Sequence, residues 1–122
     1  MKEAYLYEKL EDLKVRCSLC NHRCLIKDGS KGICGVRENR GGTLFSLVYG
    51  QLIARHVDPI EKKPLFHFLP GTRSYSIATV GCNFKCLFCQ NADISQMPHD
   101  HKQILGEETT PESVLEAALR SG

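Results

Sequence analysis

Leu6, Leu10 and Leu13 recur at helical spacing among Glu and Lys residues, and the pattern predicts a short amphipathic helix over residues 3–13. Residues 16–42 have a different texture, with four cysteines, five glycines and few large apolar side chains. Such a stretch cannot bury a core of its own and needs a metal to organise it. Residues 43–57 read as two strands broken near Gly50. Asp58 to Pro64 follows, and its two prolines fix φ and forbid a regular ladder. Leu65 to Leu69 is a short apolar run closed by the turn signal Pro70-Gly71. Residues 74–80 read as a mostly buried strand ending at Gly81. Residues 109–121 read as a helix: Thr109 with Glu112 fits a capping box, and Pro111 is tolerated in the first turn. Its apolar face is Val114, Leu115, Ala118 and Leu119.

Three segments follow from this reading. Residues 1–42 hold the helix and a cysteine knuckle, 43–73 a small β element with a Pro-braced connection, and 74–122 one strand–loop–helix unit. A chain of 122 residues fits one compact domain by length. Its net charge of +2 is too small to argue for nucleic acid or an acidic membrane surface. No run approaches the ~20 apolar residues of a spanning helix. The polar N-terminus lacks the basic and then apolar signature of a signal peptide.

Seven cysteines change the picture. An odd number argues against a closed disulfide framework, and the spacings are those of metal sites. A reducing cytoplasm, with thiolates as ligands, is the expected setting. Cys82, Cys86 and Cys89 form a C-x3-C-x2-C loop. Three thiolates on one loop can each take one iron of a [4Fe–4S] cluster and leave the fourth iron open for a chelating substrate. Electron-transfer ferredoxins supply four cysteines per cluster instead. Upstream, Cys17, Cys20, Cys24 and Cys34 give four thiols in two close-set groups. Tetrahedral zinc suits them, and His22 could replace one sulfur. An auxiliary iron–sulfur cluster is the rival. Gln90 and Asn91, just after the downstream loop, could hydrogen-bond its sulfurs. Asp58, Glu61, Lys62 and Lys63 read as solvated charges of a surface connection, His56 and His67 as partly buried structural histidines, and His99 and His101 as solvated.

The downstream spacing, with the aromatic Phe88 before the third cysteine, is that of the radical S-adenosylmethionine (SAM) signature. More widely, CSLCNHRC (17–24), GICGVREN (32–39), LVYG (47–50), DPIEKKPLFHFLPG (58–71), VGCNFKCLFCQN (80–91) and SQ at 95–96 resemble the AmmeMemoRadiSam-system radical SAM enzymes. These are related to pyruvate formate-lyase activating enzymes. The resemblance implies an α/β fold: the N-terminal portion of a partial (β/α)6 TIM-like barrel, preceded by the four-cysteine metal knuckle and β element. Members are longer, so the chain reads as an N-terminal fragment, inactive alone. The resemblance further implies that Cys82, Cys86 and Cys89 hold the [4Fe–4S] cluster, that SAM binds its open iron, and that Phe88 lies near the adenine. One-electron cleavage of SAM would give a 5′-deoxyadenosyl radical that abstracts hydrogen from a protein or small-molecule substrate. A flavodoxin- or ferredoxin-type reductant and the other proteins of that system are the implied partners. Two other classes stay open: a zinc-stabilised binding module and an iron–sulfur electron-transfer protein.

Overall fold

The computed structural model describes all 122 residues. Its contacts group into two units, Met1–Tyr49 with Val80–Leu105, and Gly50–Thr79 with Gly106–Gly122.

The first unit contains β1 (Lys2–Glu3), β2 (Tyr7–Lys9), β3 (Val15–Cys17), β4 (Leu25–Ile26), β5 (Arg37–Arg40), β6 (Thr43–Ser46) and the one-turn helices α1 (Ala92–Ser95) and α2 (Met97–Asp100). The strands form two antiparallel sheets, in the orders β1-β6-β5 and β2-β3-β4. The β5–β6 hairpin has a local cause. Arg40 pairs with Thr43 across Gly41 and Gly42, whose φ values are 61° and 82°. Two residues at positive φ are what a two-residue hairpin turn demands. Alternation buries Val15 and Cys17 and leaves Arg16 exposed. Ala4, Val15, Cys17, Ile26 and Leu44 make the core, with Tyr7 and Cys24 packed on it. Burying each of Val15, Ile26 and Leu44 contributes about 1.5–3 kcal/mol relative to leaving it exposed.

Two buried polar residues staple this unit. Asn39 is fully buried, donates to the carbonyls of Leu13 and Ile26 at 2.7 and 2.9 Å, and accepts from the Gly42 N–H at 2.9 Å. Arg37 is 8% exposed and donates to Cys17 Sγ at 2.9 Å and to the Tyr5 carbonyl.

The helix expected over residues 3–13 does not form. Leu6, Asp12 and Leu13 have φ of 59°, 56° and 56°, which no right-handed helix allows. The physical reason is that Tyr7–Lys9 pairs with Val15–Cys17 and so satisfies its backbone locally. Leu6, Leu10 and Leu13 stay exposed, without the apolar partner a helix would need.

The second unit contains β7 (Gln51–Leu52), β8 (Ala54–Pro59), a 3₁₀ turn at Ile60–Lys62, β9 (Arg73–Ala78), β10 (Glu107–Glu108) and α3 (Pro111–Arg120). β8 pairs with β9 from Ala54↔Ala78 to Pro59↔Arg73, and β7 pairs with β10, both antiparallel. Asp58 braces the connection between β8 and β9. Its carboxylate accepts from Lys62 at 2.8 Å, Lys63 at 3.0 Å and Ser76 at 3.1 Å. Lys62 and then Lys63 hold its carboxyl well below the usual carboxylate range. α3 is capped by Thr110 with Ser113, one residue beyond the expected Thr109 box. The face of α3 bearing Leu115 and Leu119 is exposed.

The expected barrel portion is therefore corrected. Every paired strand is antiparallel, helices are few and short, and no (β/α)6 arrangement is present. The strand expected over 74–80 forms as β9, but as the second arm of a hairpin rather than the first strand of a parallel sheet. A parallel pair needs a crossover connection and layers on both faces, whereas a hairpin finds its partner in the preceding strand. No helix is long and apolar enough to cross a membrane.

Candidate cysteine centre

All seven cysteines are free thiols, and all seven lie in the first unit. The structure does not gather three or more His, Cys, Asp or Glu side chains into a ready-made metal site. It does bring the two cysteine groups against each other. An open cleft of about 560 Å³ is lined by Leu19, Cys20, Asn21 and His22 on one side and Asn83 and Phe84 on the other. The rings of His22 and Phe84 meet edge to face at 6.2 Å.

The upstream four divide. Cys17 Sγ is buried in the core against Arg37. Cys24 pairs with Cys17 through the backbone, the Cys17 N–H donating to the Cys24 carbonyl at 2.9 Å. Its sulfur flanks Gly32, where a Cβ would lie 3.8 Å away. Gly32 opens the turn that carries Cys34, closed by the Gly35 N–H to the Gly32 carbonyl at 2.9 Å. Cys20 starts a tight turn, the Arg23 N–H donating to its carbonyl at 3.2 Å, and its sulfur lies 3.7 Å from His22 Nδ1. The Cys20 thiol is held below its ordinary value of 9.0, first by the His22 backbone N–H and then by the Asn83 side chain and the His22 ring.

The downstream loop carries no strand or helix between Gly81 and Asn91. Cys82 and Cys89 are half-buried and Cys86 is exposed. The Phe84 N–H already donates to Cys82 Sγ at 3.4 Å. Ser95, in α1, places its hydroxyl 3.5 Å from Cys89 Sγ, and Gln96 Nε2 donates to the Phe84 carbonyl at 2.8 Å. Gln90 and Asn91, expected in that role, make no side-chain hydrogen bond to the loop, and both are exposed. The residue pair Ser95-Gln96 is part of the sequence pattern, but only the fold shows that α1 turns it back on the loop. Gly81 fixes the loop's origin. Its φ is 100°, and a Cβ there would stand 2.5 Å from Val36 Cγ1 and 3.1 Å from the Cys34 carbonyl.

The donor chemistry of this loop fits a [4Fe–4S] cluster. Three soft thiols sit on one segment, no disulfide competes, and no regular ladder must break to draw them together. Phe84, Leu87 and Phe88 are exposed, Phe88 by 87%, so the loop offers an apolar rim.

Sequence reasoning misses two buried neighbours of the upstream cysteine segment. Arg37 is the buried partner of Cys17. His99, expected to be solvated, tucks against Gly35 with its Nε2 buried and unpartnered. His56 and His67 go the other way and are exposed.

No family model matches the chain, and no solved structure matches it. The chain is similar to MJ0808, an uncharacterized protein of Methanocaldococcus jannaschii, with 52% identity over 120 residues that cover 98% of this chain and 35% of the relative. It is also similar to MJ0674, an uncharacterized protein of the same organism, with 35% identity over 105 residues that cover 79% of this chain and 26% of the relative. The chain thus spans between about a quarter and about a third of the length of these curated relatives.

Proposed function

We propose that this chain carries the cluster-binding loop of a radical SAM enzyme of the AmmeMemoRadiSam type. The observation that carries the reading is the loop itself: three free thiols at C-x3-C-x2-C spacing, on ladder-free backbone, with no fourth cysteine in the segment. Cys82, Cys86 and Cys89 would hold a [4Fe–4S] cluster. When bound, that cluster supplies the electron that cleaves SAM to a hydrogen-abstracting radical.

The chain's own residues prepare this loop. The Phe84 N–H and the Ser95 hydroxyl stand at Cys82 and Cys89, where they stabilise negative charge on sulfur. Gln96 ties the loop's first turn to α1. Phe84, Leu87 and Phe88 supply an exposed apolar rim beside the cysteines, and Phe88 is the side chain offered to the adenine. Substrate, whether protein or small molecule, and a flavodoxin- or ferredoxin-type reductant belong to the longer enzyme. The reading assigns the chain to the cytoplasm, where free thiols stay reduced.

The test is anaerobic reconstitution with iron and sulfide, followed by electron paramagnetic resonance of the reduced protein with and without SAM. The expected result is a reduced cluster signal that changes on adding SAM and disappears in Cys86→Ala. Absence of iron from the reconstituted protein would sink the proposal.

A further inference from the structure

Gln96 spends one side-chain amide on both ends of the downstream loop. Its Nε2 donates to the Phe84 carbonyl at 2.8 Å and to the Ser95 hydroxyl oxygen at 3.3 Å. The Phe84 carbonyl fixes which way the amide faces, because the flipped amide would set its own oxygen against another acceptor. Both amide protons are thereby used.

Each of the two residues it holds also reaches a cysteine sulfur. The Phe84 backbone N–H donates to Cys82 Sγ at 3.4 Å, and Ser95 Oγ lies 3.5 Å from Cys89 Sγ. Ser95 Oγ already accepts from Gln96, so its single proton is free to point at Cys89. A ligating thiolate can only accept, and this is the polarity it needs. The backbone supports the same arrangement. The Gly81 N–H donates to the Ile94 carbonyl at 3.1 Å and joins the start of the loop to α1. Cys86 stands apart as the exposed member of the three, and no hydrogen bond from α1 or Gln96 reaches its sulfur.

We infer that Gln96 is a positioning residue for the cluster loop: through Phe84 and Ser95 its one amide presets the two outer ligands, Cys82 and Cys89, and leaves Cys86 as the ligand that closes on the cluster last. The inference rests on the reading of Cys82, Cys86 and Cys89 as cluster ligands. The contacts of Gln96 exist before any metal binds, so its hold on the loop is measurable in the metal-free chain.

The experiment has a metal-free arm and a cluster arm, run on the whole chain and on Gln96→Met, which keeps the side chain's length and donates nothing. Gln96→Glu, which keeps the outline and also donates nothing, takes its place if the methionine variant fails to fold. In the first arm the reduced, metal-free protein is alkylated with iodoacetamide, and the rate at each cysteine is read by peptide mass spectrometry. Cys86 should react faster than Cys82 and Cys89 in the unsubstituted chain. Gln96→Met should speed Cys82 and Cys89 by about 2–10-fold, the change that loss of one net hydrogen bond brings. Cys86 should keep its rate, and so should Cys17, whose buried sulfur reports any general loosening of the unit. In the second arm both proteins are reconstituted with iron and sulfide and the cluster's midpoint potential is titrated. Gln96→Met should lower the potential, in the same direction as Ser95→Ala, and the double variant should fall short of the sum of the two single shifts. Unchanged rates at Cys82 and Cys89, rates that rise together with that of Cys17, or additive shifts in potential would each overturn the inference and leave the cluster reading in place. Absence of iron from the unsubstituted chain would overturn the cluster reading and this assignment with it.

Discussion

The two cysteine segments of the first unit use the same residue type in opposite structural settings. The upstream segment is built into antiparallel sheet, with Cys17 in the core and Asn39 and Arg37 bonded to the strands and loops around it. The downstream loop has no ladder at all and presents Cys86, Leu87 and Phe88 to solvent. Backbone hydrogen bonds and buried amides fix the first before any metal arrives. The second has little but its ligand to fix it. The upstream segment is thus held by its own hydrogen bonds and core, whereas the downstream loop has no ladder to hold it.

The sharpest way to break this contrast is to remove the polar staple. Asn39→Ala leaves the carbonyls of Leu13 and Ile26 and the Gly42 N–H without their partner, in a site of zero exposure. Each buried group so stranded costs about 1–3 kcal/mol, and allowing for water at the less buried ends the total should be about 3 kcal/mol. Urea unfolding of the metal-free chain should show a lower midpoint at unchanged slope. A loss under about 1 kcal/mol would mean that Asn39 does not hold the upstream segment together.

A smaller effect is expected where the two segments touch. Gly81→Ala must hold a Cβ at φ 100° against Val36 Cγ1 and the Cys34 carbonyl. Gly29→Ala is the matched control, because Gly29 also has positive φ, 74°, but nothing within 4 Å. The control should cost about 1 kcal/mol of backbone strain. Gly81→Ala should cost about 2–3 kcal/mol, since the clash adds to the strain. Chemical denaturation of both variants measures the difference. Equal costs would show that the loop's origin can shift away from the upstream turn.

The same contrast explains what could be read along the chain. α3 was legible because cap residues and an apolar face are local signals, whereas the β5–β6 hairpin was not, its first strand lying in a stretch expected to need a metal to organise it. The helix expected over 3–13 failed because three leucines at helical spacing say nothing about a partner surface. Ladder bonds to Val15–Cys17 decided the matter instead. The strand at 73–78 was legible as a strand, but its direction was not. Period-two patterning carries no information on whether the neighbour runs parallel. Arg37 and Asn39 gave no signal, because a charged and a polar residue on a strand look solvated until the fold buries them. Ser95 and Gln96 were visible only as part of a pattern, since their role depends on α1 folding back onto the loop.

The smallest predicted effect tests whether the downstream loop is wholly at the mercy of its ligand. Ser95 sits on α1, outside the cysteine loop, and its hydroxyl approaches Cys89 Sγ at 3.5 Å. A hydrogen bond to a ligating sulfur stabilises the more negative, reduced state of a cluster and raises its potential. Removing one such bond is worth about 1 kcal/mol, which for a one-electron couple is roughly 40 mV. Ser95→Ala should therefore lower the midpoint potential of the reconstituted cluster by about that amount in a redox titration, with iron content unchanged. Ser95→Thr, which keeps the hydroxyl, should restore most of it. A potential that ignores both substitutions would mean that the sulfurs move away from α1 once the cluster forms. The loop would then be shaped by its ligand alone, and the contrast with the upstream segment would be complete. A drop reversed by threonine would instead show that α1 presets one of the three ligands, as Arg37 presets Cys17, and the two segments would differ in degree rather than in kind.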